Sequence, residues 1–483
     1  MSRFAISSPT AGRPARKRRG PSWWLALVLL ALAALYAWLY GVLGPREAPT
    51  VERRFLTYPV IFTLYFLTVW AVYRRGLLSR PAARADLVLI VVGAALLRLI
   101  ILTGVPPWNP DLGRHLWEGR VLLEGLNPYA APPEAEVYDP IREQLKAEGD
   151  DLYSGYWLKY KEVRSVYGPI ATLLFAIPHL LPVDPYVSLR VIMTCFDLGT
   201  VFLLMGMAGA LGRPRTLVVV YAWSPICLNG FADRGQMDAP MVFLVVLAAW
   251  LVLLRRPVLA GLAFGGAILT KLSPLLLLVP LLRVAGLRLG VAFVVTAIAG
   301  ILPFAGAGLE GLQGFAEFAG RWHENDSLFS LIALAATPLG EMGNAVARAA
   351  VSLAALAYAA WRSLRLDRSD HLGLVHCLAS VSAAVILLSP VTFPWYGTVM
   401  LAFLCFRPQA SLLALAVVPM FWYLKFLEPG SGLPWRLLLE AQKRHQVWRI
   451  PVYGTVAVLF LRDALLARRR RRFKDDGEPP ALD

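Results

Sequence analysis

The sequence predicts an all-α polytopic membrane protein, a bundle of about 12 to 14 transmembrane or half-membrane helices with one long external loop. Three observations predict it. Hydrophobic residues make up 57% of the chain and charged residues only 17%, with a mean hydropathy of +0.57, beyond what a soluble globule of this length carries. Apolar runs of about 18 residues or more recur, the length that crosses a bilayer as helix. The charge that remains sits in short clusters between those runs.

The net charge of +16 does not indicate a nucleic-acid partner. It concentrates at both ends, from Arg13 to Arg19 and from Arg468 to Lys474, and in short connectors, as a positive-inside topology signal does. The four cysteines, Cys195, Cys227, Cys377 and Cys405, lie in or beside apolar runs without CxxC spacing, so they read as small core hydrophobes. The run from Trp23 to Leu43 is long and has no evident small-residue cleavage site, so it reads as a retained first span.

In chain order, residues 1–21 read as a basic cytoplasmic tail, 22–463 as a single transmembrane domain and 464–483 as a charged cytoplasmic tail. Spans are predicted at 22–44, 55–73 and 86–104. The arginines at 74, 75, 80 and 84 mark the cytoplasmic face, which places the loop 105–166 outside. That loop holds 11 of the chain's 32 acidic residues.

The stretch 168–181 is too short for a crossing and reads as a half-depth helix. Spans follow at 186–210, 216–230 and 239–254, and 257–282 reads as two short helices broken at Lys271 and Pro274. Further segments fall at 289–306, 342–361, 371–390, 397–406, 409–424 and 446–463, with 328–341 ambiguous. Both termini come out cytoplasmic.

Five polar constellations then share the external face. In the first, Leu112, Leu116, Val121 and Leu122 have helical spacing, interleaved with Asp111, Arg114, His115, Glu118 and Arg120. Pro110 starts this helix and Asn127-Pro128 ends it, so it reads as an interfacial amphipathic helix. Its polar residues are a solvated face on one reading. On the other, Asp111 is a general base and Arg114 a phosphate fork. In the second, Asp233, Arg234, Gln236 and Asp238 form a loop between spans, which orients a substrate if it is more than a connector.

Lys271 interrupts an apolar run; it either snorkels or meets an anionic head group. His323, Asn325 and Asp326 precede an apolar segment as helix caps, a glycosylation sequon or site residues. Trp395 and Tyr396 follow two prolines as an aromatic belt or a platform for a sugar ring or lipid.

Taken in order, these stretches resemble the GT-C superfamily of polytopic glycosyltransferases, and most of all the bacterial polyprenyl-phosphate-mannose-dependent mannosyltransferases. The carriers are Asp111-Leu-Gly-Arg114-His115-Leu-Trp117-Glu118-Gly119-Arg120, Asn127-Pro128-Tyr129, Tyr167-Gly168-Pro169, Gly235-Gln236-Met237-Asp238, Thr270-Lys271, Asn325-Asp326-Ser327 and Phe393-Pro394-Trp395-Tyr396. The likeness covers roughly residues 86–400. It departs from the family pattern at His115 (an aromatic), Glu118 (Asp), Gly168 (Pro) and Gln236 (His).

The resemblance implies a single inverting displacement, with Asp111 taking the acceptor's proton. Lys271, Arg114, Arg234 and His323 would hold the donor phosphate. Contacts to the sugar or acceptor would come from His115, Trp117, Glu118, Arg120, Asn127, Tyr129, Tyr167, Asp233, Gln236, Asp238, Asn325, Asp326, Trp395 and Tyr396. It implies a polyprenyl-phosphate hexose donor, a lipid-linked or cell-envelope glycan acceptor and membrane lipids as partners, with no cofactor, metal or nucleic acid. Two alternatives stay open: another polyprenyl-phosphate sugar such as glucose or a pentose, and a lipid-linked sugar transporter or flippase.

Overall fold

The computed structural model describes residues 22–44, 46–48, 50–77, 84–105, 109–149, 158–426 and 449–475. The expectations for the basic tail at 1–21, for nearly all of 425–449 and for the end of the C-terminal tail fall outside these residues.

Helices α1 (Trp23–Leu39), α2 (Val51–Leu77) and α3 (Arg84–Thr103) lead into α4 (Pro110–Leu123) and α5 (Asp139–Ala147). The short α6 (Pro169–Ala176) precedes α7 (Pro185–Ala210), α8 (Val219–Ala222) and α9 (Pro225–Cys227). A six-residue π-helix, Leu228–Asp233, runs into α10 (Asp238–Leu253), then α11 (Pro257–Thr270), α12 (Leu278–Ala285) and α13 (Leu287–Ile301). After a 3-10 passage come α14 (Gln313–Arg321), α15 (Leu328–Ala335), α16 (Met342–Leu364), α17 (His371–Leu388), α18 (Thr398–Leu404), α19 (Ala410–Val417) and α20 (Arg449–Asp475).

Among the described residues there is no strand, only an isolated parallel bridge between Glu324 and Val391. Six stretches are long and apolar enough to cross a membrane, namely Glu52–Arg74, Arg84–Thr103, Pro185–Ala210, Leu287–Arg321, Met342–Leu364 and His371–Leu388, and seven shorter apolar helices accompany them. The protein is an all-α polytopic membrane protein.

Three expectations change. The predicted span 216–230 is not one helix: Ser224-Pro225 breaks it, and the backbone continues through α9 and the π-helix. Proline cannot donate into the preceding turn, and this irregular backbone is buried, as membrane-depth irregularity must be. Second, α4 stops at Leu123, ahead of Asn127-Pro128, because Gly125 turns the chain at φ +74°. Third, α4 is not a solvated surface helix. Its polar His115 and Glu118 are as buried as its apolar Leu112 and Trp117.

The reason lies in what packs around α4. It lies on α6, and a Cβ at Gly119 would run into the Phe175 carbonyl, so glycine permits the close approach. The expected break at Lys271 is present, between α11 and α12. There Gly168 donates its backbone N–H to the Thr270 carbonyl (3.2 Å). A Cβ at 168 would meet the Leu269 carbonyl. The family's proline at this position would lose that hydrogen bond and clash, which accounts for the glycine here.

Candidate active site

Asn109 starts the site. Its side-chain oxygen accepts the Asp111 N–H (3.2 Å) and so caps α4, while its amide donates to the Arg234 carbonyl (2.7 Å). One side chain thereby ties the helix to the 231–238 segment. Gly235, at φ +59°, turns that segment so that Gln236 donates its amide N–H to Asp111 Oδ2 (2.9 Å). The second oxygen, Oδ1, has no partner among the described residues. The departure from histidine at 236 therefore substitutes an amide donor that orients the carboxylate without titrating.

Nearby lies an ion pair between the buried Asp238 and the partly buried Lys271. Lys271 Nζ donates to both oxygens of Asp238 (3.0 and 2.8 Å) and sits 4.3 Å above the Tyr396 ring. It does not snorkel. The charge of Asp111 acts on Lys271, Asp238, Tyr396 and Tyr167 alike, so these groups form one cluster. A small apolar groove begins at Asp238 and Tyr396 and is lined further on by Pro274, Leu276, Val385 and Ile386.

His115, one turn beyond Asp111, is fully buried, stacked on Phe175 (4.2 Å) with its edge to Tyr167 (4.7 Å). Both ring nitrogens lack a protein partner. Burial pulls its pKa down to about 3, and the charges of Lys271 and Arg114 add to the effect. An unfolded imidazole takes its proton near 6.5. Between those values the unfolded chain binds a proton that the folded one refuses, so stability falls as pH falls from about 6.5 toward 3 and is unaffected above. We expect the detergent-solubilised protein to lose melting temperature between pH 7 and pH 5. In His115→Phe, which keeps the stacking, this acid-side slope should be shallower. Parallel curves would remove His115 as its source.

Several expected site residues are instead committed to the scaffold. Arg114 donates to Glu118 (2.8 Å) and to the carbonyls of Tyr160 (2.9 Å) and Val163 (2.7 Å). It therefore clamps the loop, where a phosphate fork was expected. Glu118 also accepts from Ser165 (2.7 Å); burial raises its pKa, with Arg114 and Ser165 opposing. Trp117 is buried edge-on to Tyr138 (6.0 Å), and Arg120 pairs with Glu124. The Asn127 amide donates to the Phe304 carbonyl (3.1 Å), and Tyr129 Oη donates to the Tyr167 carbonyl (2.9 Å).

Asp233 is likewise fully buried, holding Arg54 through both nitrogens (2.7 and 3.3 Å) and accepting from Asn229 (2.9 Å). Arg234 lies over Tyr423 (5.2 Å). His323 pairs with Asp326 (2.9 Å). Asn325 is buried with its amide bonded to the carbonyls of Thr392 (2.7 Å) and Pro419 (3.3 Å), so the sequon has no free amide to glycosylate. Ser327 makes no side-chain cap and donates to the Leu387 carbonyl (2.8 Å). Trp395 is buried and stacked on Phe393 (5.2 Å), so it is wall and not belt. The Glu324–Val391 bridge joins the fourth constellation to the fifth.

Sequence reasoning missed three buried arginines that hold the irregular 222–236 segment. Arg54 grips Asp233. Arg98 pairs with Asp197 (2.6 Å) and donates to the Ala222 carbonyl (2.8 Å). Arg190 donates to the carbonyls of Ala232 (3.0 Å) and Ile101 (3.1 Å). Arg98 and Arg190 each interrupt an apolar run, a signal that was available, whereas Arg54 stands just ahead of the span predicted at 55–73.

Arg54→Leu would leave Asp233 buried and without its main partner, at a cost of about 3 kcal/mol. The double change Arg54→Leu/Asp233→Leu should recover most of it. Unfolding curves in detergent for the two variants check this, and a double variant no more stable than the single would refute it.

Among the described residues no three carboxylate, imidazole or thiol groups gather as a metal site would require. A sequence profile of glycosyltransferase family 87 matches residues 166–390. The polyprenol-phosphate-mannose-dependent alpha-(1-2)-phosphatidylinositol pentamannoside mannosyltransferase of Mycobacterium tuberculosis (strain CDC 1551 / Oshkosh) is 30% identical over 302 residues, which is 56% of this chain and 68% of that protein. No solved structure matches. A polytopic helical bundle, the family profile and a relative matched over two thirds of its length agree: this chain belongs to glycosyltransferase family 87 and is a membrane glycosyltransferase of the GT-C type.

Proposed function

We infer that the protein transfers a hexose, mannose by its similarity to the mycobacterial relative, from a polyprenyl-phosphate donor to a lipid-linked or glycan acceptor on the external face of the membrane. The observation that carries this is the juxtaposition of Asp111, the Lys271–Asp238 pair and the apolar groove. A base, a cation and an apolar groove are brought together.

In the reaction, the acceptor hydroxyl attacks the anomeric carbon as Asp111 Oδ1 takes its proton. The new C–O bond forms on the face opposite the phosphate, and the old bond breaks with its electron pair passing to the phosphate oxygen. Negative charge thus grows on the leaving phosphate, where Lys271 supplies a donor. Arg234 and His323 would join it only by leaving the partners they hold here, Tyr423 and Asp326. The polyprenyl tail lies in the groove, which is why a sugar-handling enzyme is built so apolar. One carboxylate suffices, since an inverting displacement forms no glycosyl-enzyme, and Glu118 remains a clamp.

The test offers the purified protein polyprenyl-phosphate mannose, glucose and arabinose with a membrane lipid extract, and reads the product anomer by NMR. Transfer of mannose with inverted configuration is expected. Retention would exclude the single displacement, and preference for glucose or arabinose would replace the donor. Movement of lipid-linked sugar across a vesicle bilayer without transfer would make the protein a transporter.

A further inference from the structure

Three aromatic rings outside this cluster form a continuous surface beside it. Tyr160 is 51% exposed. Its ring lies 4.6 Å from Trp322, and Trp322 lies 5.0 Å from Phe318; the latter two are half-buried. Tyr160 sits at φ +54°, a conformation bulky residues rarely adopt and one that persists only when its surroundings impose it. They do so here. Arg114, one turn from Asp111, donates to the Tyr160 carbonyl, and Val163 N–H donates to the same oxygen (3.1 Å).

The other two rings are fixed from behind. Arg348 donates to the Trp322 carbonyl (2.9 Å). A Cβ at Gly314 would collide with the Arg164 and Ser165 carbonyls, so α14 is seated directly on the loop that carries Tyr160. Charges of both signs lie around the rings: the carboxylates of Asp111, Glu324 and Glu162 act on the Tyr160 hydroxyl, and the guanidiniums of Arg114 and Arg348 hold the Tyr160 and Trp322 carbonyls.

We propose that Tyr160, Trp322 and Phe318 form the binding platform for a neutral hexopyranose, the acceptor glycan, which they present to Asp111. This rests on the transferase reading above. A pyranose ring offers an apolar C–H face to an aromatic surface and hydroxyl donors to carboxylates at its rim. A lipid-facing aromatic belt would not need carboxylates beside it.

The test uses the full chain in lipid nanodiscs and α-1,2-mannobiose as a soluble probe, with binding followed by saturation-transfer NMR. Tyr160→Leu and Trp322→Leu should weaken binding by about five- to tenfold, while Tyr160→Phe and Trp322→Phe stay within about twofold of wild type. In transfer assays the leucine variants should raise the acceptor KM by a similar factor, with kcat and donor affinity unchanged. Wild type that does not bind mannobiose, leucine variants that bind like wild type, or donor affinity that falls alongside would each overturn the platform. Ring-dependent binding without any transfer by wild type would leave the platform standing and remove the transferase reading instead.

Discussion

Asp111→Asn is expected to cut sugar transfer by about a thousandfold, within the range a positioned general base contributes. The substitution is nearly isosteric. Asparagine can still accept the Gln236 amide proton through its carbonyl oxygen, and the Asn109 cap bonds the backbone and not the side chain. Fold and donor binding should therefore survive, and the loss should fall on kcat. Release of polyprenyl phosphate and glycosylated acceptor, followed together for both proteins, checks this. Equal rates would remove Asp111 from the chemistry. Suspicion would then move to Asp238, because Asp233 is locked against Arg54 with no exposed surface.

Lys271→Met should lose both activity and stability. Removing the donor at a developing phosphate charge costs about a hundredfold to a thousandfold in rate. Unlike Asp111, Lys271 also neutralises a carboxylate that is 1% exposed, and an uncompensated buried charge costs about 3 to 5 kcal/mol. The double variant Lys271→Met/Asp238→Leu separates the effects. It should melt near wild type while transferring no better than the single variant. Recovery of activity in the double variant would show that Lys271 serves only to balance Asp238.

Much of this was legible in the sequence, and the misses have physical reasons. Apolar run length located the helices because bilayer thickness sets it directly. The break at Lys271 was readable because lysine and proline are costly in an apolar helix. The polar stripe of α4 was found, but its direction was misread. Periodicity reports that a helix has two faces and not how many of them meet the protein, and here both do, burying His115 and Glu118 along with Leu112 and Leu116. The span at 216–230 failed because hydropathy is blind to hydrogen-bond geometry, so an α-helix and a broken π-turn with the same residues score alike. Arg114 was taken for a phosphate ligand because its three carbonyl and carboxylate partners lie up to 49 residues away. Arg54 escaped because its partner Asp233 is 179 residues distant.

Those separations bear on how the protein is made. The cap that fixes α4 bonds a residue 125 positions later, the Asn127 anchor a residue 177 positions later, and the Arg54 clamp one 179 positions later. During synthesis at about 5 to 20 residues per second, α4 leaves the ribosome well before any of these partners exists. Its early partners are the 160–165 loop, α6 and α7. The base of the site must therefore wait, tethered between inserted spans, until the chain has passed residue 304. A nascent chain arrested before residue 225 should expose the 105–166 loop to protease, and one extended past 320 should shield it. The site would be closed by the ribosome's progress, so damage to α6 should divert the chain to quality control before any sugar is bound.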